Sequence, residues 1–194
     1  MGLEIGRRLV HASGAVVPGA YLLDTRILET GLLTWSAVQA LAVVGLLVIF
    51  GLEAARLYGG FDHPIYERLA REYEQDTVAG YAMYALGATV TVFVFEPTLA
   101  VPALFMLTLG DPVSGMLSGG TLRRIARLRV LVGMFSVCLL LASPFVPLYV
   151  AVAGALGATV ADGVKPMING YVVDDNLTIP LFAGGAMWVA LVLG

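Results

Sequence analysis

The sequence predicts an all-α, polytopic integral membrane protein of about seven transmembrane helices with its N-terminus in the cytoplasm. Three observations carry that expectation. Hydrophobic residues make up 59% of the 194 positions and charged ones 13%, where soluble domains carry about 25% charged residues. The mean hydropathy is +0.88, and apolar runs of about 20 residues, the length needed to span a bilayer, recur along the whole chain. The basic residues are also unevenly distributed among the connections, as the positive-inside rule requires of a threaded chain.

In chain order the apolar segments are 9–28, 32–52, 78–95, 98–118, 129–143, 145–163 and 177–194. The first is the weakest, because Asp24 and Arg26 sit near its end; with no cleavage site it reads as a retained helix and not a signal peptide. Segments five and six are joined by Ser143-Pro144, a tight turn. The longest polar connection, 53–77, contains "FDHPIYERLAREYEQD" and reads as a cytoplasmic loop with a short amphipathic helix at the membrane surface. Spans of this length fill most of the chain, so residues 1–194 are one transmembrane domain with no room for a soluble one. With the N-terminus inside, Arg7, Arg8, Arg56, Arg68, Arg71, Arg123, Arg124, Arg127, Arg129 and Lys165 all face the cytoplasm and only Arg26 lies outside. Glu4, His11, Glu53, Asp111, Asp162, Asp174 and Asp175 then gather at the cytoplasmic ends of spans. Any chemistry faces the cytoplasm.

Several function classes are excluded. The chain has one cysteine, Cys138, and two histidines, which rules out an internal disulfide and Cys-based metal clusters and argues against a His-rich site. Lys165 is the sole lysine, so no Gly-rich loop ends in the Gly-Lys-Ser/Thr of a P-loop. Nothing points to nucleic acid. The scarcity of lysine and a pI near 5.3 fit a salt-adapted or GC-rich source, and the expected location is the cell membrane of a prokaryote.

Five constellations carry chemistry. In "EIGRRLVH", Glu4, Arg7, Arg8 and His11 fall at i, i+3, i+4 and i+7 on one helix face. They either grip a phosphate or anchor the helix by snorkelling to lipid phosphates. Glu53 and Arg56 in "GLEAAR" are spaced for a local ion pair. In "LTLGDPVSGMLSGG", Asp111 precedes Pro112, and a residue before proline is pushed out of helical geometry. Asp111 either N-caps a new half-helix with Pro112 at its first position, Ser114 following, or marks a helix kink with a solvated carboxylate at the interface. Asp162 and Lys165 in "GATVADGVKP" form either an interfacial pair or part of a site. In "YVVDDNLTIPL", Asp174, Asp175 and Asn176 either cap the last span or belong to a site, with Thr178 a second candidate cap and Pro180 expected at the first helical position. Two such breaks at one membrane face read as paired discontinuous helices around one site, whose carboxylates suit Mg²⁺ carrying substrate phosphates.

Four of these stretches resemble a known family. "EIGRRLVHASG" resembles the E-L-x-R-K-x-x-H pattern of the dolichol kinase and phytol kinase family, with Arg8 at the usual Lys. "GDPVSGMLSGG" is similar to its G-D-x-x-A-x-x-x-G segment, with Ser114 at the Ala. "ATVADGVKP" and "VDDNLTIPLFAG" resemble its A-T-x-x-E and D-D-N-L-T-x-P-L-x-A-G, with Asp162 at the Glu. The order holds over the whole chain. The family's K-S/T-x-E-G-S motif, associated with nucleotide binding, is absent; the region reads "TLRRIARLRVLVGMFSV".

The resemblance implies a membrane enzyme that uses CTP and a divalent metal to phosphorylate the terminal hydroxyl of a polyprenol-type alcohol. Carried residue by residue, it implies Asp111 and Asp175 as catalytic carboxylates and Asp111, Asp162, Asp174 and Asp175 around Mg²⁺. Arg7, Arg8, His11, Arg123, Arg124, Asn176 and Thr178 would contact the nucleotide, with Glu4, Glu53, Arg56 and Ser114 in support. Two further readings stand beside it. The missing motif motivates a prenyl-lipid nucleotidyl- or phosphotransferase, and buried carboxylates with broken helices also suit a non-catalytic lipid carrier or transporter. The partners expected are a prenol lipid, a nucleotide and membrane lipids, and no nucleic acid.

Overall fold

Helix follows apolar sequence throughout, because a buried backbone without water must satisfy its own hydrogen bonds. The computed structural model describes residues 2–59, 74–118, 125–164, 167–168 and 171–194, with backbone alone at 2–5, 167–168 and 171–172. The elements are α1 (Gly2–Ser13), α2 (Val16–Leu23) running into a π-helical turn (Asp24–Leu28), α3 (Trp35–Tyr58) and α4 (Gly80–Val94). Then come α5 (Pro97–Phe105), a second π-helical turn (Met106–Gly110), α6 (Asp111–Ser118), α7 (Leu128–Ala142) and α8 (Leu148–Gly163). A hairpin of two-residue strands, β1 (Met167–Ile168) and β2 (Tyr171–Val172), leads into α9 (Asp175–Leu193). Much of the amphipathic helix expected within 53–77 lies outside the described residues.

Each apolar segment carries helix. Among the described residues three helices are long and apolar enough to cross a membrane: Trp35–Tyr58, Pro97–Ser118 and Asp175–Leu193. The helix through α5 and α6 is central, with 67% of its apolar window buried, whereas α3 is peripheral, with 6%. The main core joins α5, the second π turn, α7, α8 and α9 through Met106, Leu107, Met134, Ile179 and Met187. A smaller cluster of Val38, Val92 and Leu104 ties α3 and α4 to α5. Glycines let the helices close: a Cβ on Gly157 would lie 2.5 Å from the Phe182 carbonyl oxygen, and one on Gly87 would lie 2.6 Å from that of Asn176. Small residues at such crossings are how helices pack in lipid.

Two expectations about helix breaks are corrected. Asp111 does not cap a new half-helix. It has helical torsions, φ −59° and ψ −47°, and its N–H donates to the Met106 carbonyl. The chain stays helical through Pro112 because the wider π turn just before it relieves the clash of the proline ring with the preceding turn. Pro180 does not open the last helix either. Asp174 caps it, accepting from the Asn176 N–H at 2.9 Å, and the Thr178 N–H already bonds to the Asp174 carbonyl. The helix therefore starts five residues before the proline, at Asp175, and Pro180 lies within α9.

The polar groups sort to the two ends of the bundle. α3 and α4 are antiparallel, since Gln39 donates to the Val92 carbonyl at one end and Glu53 accepts from the Ala79 N–H at the other. The neighbouring helices continue the alternation, with Gly163 against Leu131 and Gly80 against Asn176. One end of the bundle thus holds Arg8, His11, Glu53, Arg56, Glu74, Asp111, Asp162, Asp174 and Asp175. The opposite end holds Asp24, Arg26, Glu29 and Glu96. There Asp24 accepts from the Thr30 hydroxyl and, at 3.0 Å, from the Leu33 N–H, closing the turn into α3.

Candidate functional site

Three carboxylates from three helices meet at the polar end. Asp111 opens α6, Asp162 lies in the last turn of α8 and Asp175 is the first residue of α9. One oxygen from each lies within 4.8 Å of the others. Asp162 and Asp175 are 7% and 4% exposed, and Asp111 is the more open, at 23% of its side chain. Acidic groups repel at this spacing, and burial raises the cost of their charge. Ser114, one turn beyond Asp111, donates to Asp162 at 2.5 Å.

The face of α1 lies against α6. Arg8 Nη2 donates to the Gly115 carbonyl at 3.0 Å. His11 Nε2 is 2.9 Å from the Leu107 carbonyl and 3.6 Å from Asp111 Oδ2, and its ring meets the edge of Tyr84 at 4.8 Å between centroids. The predicted α1 face therefore reaches the acid cluster. Arg7 is half-buried on the same helix. Glu4 lies on α1, but its side chain is outside the described residues, as are Arg123, Arg124 and Lys165.

The other predicted residues divide. Asp174 is separated in role from Asp175: it caps α9, and its Oδ2 would lie 3.1 Å from a Cβ on Gly80, as would Asn176 Nδ2, with Glu74 Oε1 at 3.5 Å. The Asn176 Oδ1 is buried and has no hydrogen-bond partner among the described residues. Thr178 does not reach the acids; its hydroxyl donates back to the Asp174 carbonyl at 3.4 Å. Glu53 and Arg56 do pair, at 2.7 Å, and they do more than the spacing predicted. Glu53 accepts from the Ala79 N–H at 2.7 Å and from the Tyr81 hydroxyl. Arg56 donates to the carbonyls of Glu74, Gln75 and Thr77. This clamp fixes residues 74–79, and with them Glu74, beside the start of α9.

Sequence reasoning missed Glu74, Gly80, Tyr81, Tyr84 and the Leu107 carbonyl. Burial of Glu74, 4% exposed, had no local signal in a polar loop, and a backbone carbonyl carries none at all. The donor set suits a hard divalent cation: carboxylate oxygens only, from rigid helices, close enough to share one ion. The orphaned oxygen of Asn176, the residue after Asp175, is a buried acceptor of the kind that costs about 1–3 kcal/mol unless a partner fills it. No family model, curated protein or solved structure matches the chain.

Proposed function

We propose that this chain is a membrane lipid kinase that transfers a phosphoryl group from a nucleoside triphosphate, CTP by the resemblance, to the terminal hydroxyl of an isoprenoid alcohol. In this reading the bundle crosses the membrane seven times and its acid end faces the cytoplasm. The observation that carries it is the meeting of Asp111, Asp162 and Asp175. Each comes from a stretch that resembles a different motif of the polyprenol kinases, and motifs scattered along a chain have reason to converge where they share a task.

Asp111, Asp162 and Asp175 would hold the divalent cation, which supplies charge neutralisation for the phosphate oxygens when bound. Phosphoryl transfer asks the protein chiefly for positioning and electrostatics. The hydroxyl oxygen of the alcohol forms the new P–O bond as the bond from the terminal phosphorus to the nucleoside diphosphate breaks. Asp111, the most open of the three acids, orients that hydroxyl and takes its proton. Asp162, held by Ser114, and Asp175, the first residue of α9, complete the oxygen set around the cation. Arg8, whose guanidinium reaches α6, and Arg7 beside it in α1 would offer donors to phosphate. Asn176 Oδ1 accepts from a donor on the nucleotide or its hydration shell. The apolar tail enters sideways between helices.

The test is to incubate membranes containing the protein with γ-labelled CTP or ATP and a panel of prenols. Label is expected in the lipid, and both Asp111→Asn and Asp175→Asn should abolish it while leaving the protein folded. Retained transfer in both variants would remove the mechanism. The absent K-S/T-x-E-G-S motif favours a second reading, a cytidylyltransferase acting on a prenyl-lipid phosphate. That enzyme would release pyrophosphate, where the kinase releases a nucleoside diphosphate. A carrier or transporter would give no transfer at all.

A further inference from the structure

Pro112 creates a vacancy in the hydrogen bonding of the central helix. In the π-helical turn each carbonyl accepts from the residue five positions on, as the Met106 carbonyl does from the Asp111 N–H. The next acceptor in that register, the Leu107 carbonyl, faces residue 112, a proline with no N–H to give. A buried carbonyl left in that state is costly. The group found there is His11 Nε2, at 2.9 Å, reaching across from α1. A carbonyl only accepts, so Nε2 carries the proton. The same nitrogen flanks Asp111 Oδ2 at 3.6 Å, too long for a second full hydrogen bond but close enough to set where that carboxylate lies.

The π turn also decides where Asp111 points. One extra residue in a helical turn rotates everything after it by one residue step, about 100°. Without it, the Asp111 side chain would leave the face shared with Asp162 and Asp175. Tyr84 closes the remaining side of the imidazole, edge to ring, and Gly14 makes room for it, since a Cβ there would collide with the Tyr84 hydroxyl.

The geometry points to His11 as a positioning residue: by seating on the Leu107 carbonyl it holds the π turn and aims Asp111 into the carboxylate cluster. This differs from the nucleotide-binding role expected of His11, and it rests on reading Asp111 as a metal-holding carboxylate. His11→Gln places an amide N–H at similar reach, whereas His11→Leu keeps bulk and removes the donor. Mn²⁺ binding to the purified full-length protein, followed by electron paramagnetic resonance, is expected to weaken about tenfold or more in His11→Leu and to stay near the native value in His11→Gln.

A second measurement is independent of metal. The chain has two histidines, so in a His63→Asn background ¹⁵N-histidine NMR reports His11 alone. The Nε2–H tautomer is expected, with a signal that moves on Asp111→Asn. Native Mn²⁺ affinity in folded His11→Leu, or an Nδ1–H tautomer, would overturn the assignment, and so would a ring signal indifferent to Asp111→Asn. A ring seated as expected in a protein that binds no Mn²⁺ would instead overturn the metal reading and leave the seating of His11 in place.

Discussion

At the scale of single residues, Asp162 and Glu53 at the polar end are each held by a defined partner, Ser114 and Arg56. Ser114 acts on the acid cluster through Asp162, to which it donates. Residues that orient a metal ligand typically govern affinity by 10–100-fold. Ser114→Ala is therefore expected to weaken Mn²⁺ binding at least about tenfold and, by leaving a buried carboxylate oxygen short of a donor, to cost about 1–3 kcal/mol of stability; a metal titration and a thermal melt of the variant check it. Glu53 plays a different part. It is 2% exposed and paired to Arg56, so Glu53→Ala removes the counter-charge of a buried guanidinium that keeps its carbonyl acceptors. Loss of one partner of a buried pair costs about 3 kcal/mol or more, expected as a clear drop in unfolding temperature in detergent. The pair was legible from its i, i+3 spacing. Its grip on residues 74–79 was not, because those bonds cross a stretch of chain whose path no local pattern fixes.

At the scale of elements, close approach of backbones places α9 against α4 and α8. Pro180 deprives the Asn176 carbonyl of its usual donor within the helix, and Gly87 of α4 packs directly over that oxygen. Gly87→Ala would force the two helices apart at the level of Asp175 and Asn176. The expected result is a loss of about 1–3 kcal/mol together with weaker Mn²⁺ binding. Gly45, on the exposed α3, has nothing within 4 Å of its would-be Cβ. Gly45→Ala should be neutral or stabilising by up to about 1 kcal/mol. Thermal unfolding of the two variants side by side separates a packing requirement from a propensity effect. The helix breaks expected at Asp111 and Pro180 illustrate the limit of local rules: proline disfavours helix, yet a π turn in one case and an earlier cap in the other absorb it.

At the scale of the whole molecule, charge is divided between the two ends of an apolar bundle, and that division predicts an orientation. Cys138 is fully buried, so cysteines introduced elsewhere can be read against little background. In intact cells a membrane-impermeant maleimide should label Leu32→Cys, in the turn before α3, and spare Asp76→Cys, in the connection before α4. Permeabilisation should expose Asp76→Cys as well. The reverse pattern would turn the acid end outward and remove its access to cytoplasmic nucleotide.

The helical class, the positions of the apolar segments and the identity of the acids can all be read along the chain. Those follow from hydropathy and from residue chemistry, which are local properties. Which acids share a space, which residue of Asp174, Asp175 and Asn176 caps α9, and that His11 meets a carbonyl stripped of its donor by Pro112 emerge from packing alone. Each of these depends on helix rotation and on the depth at which two helices cross. A single inserted residue in a π turn changes both, and hydropathy carries no record of it.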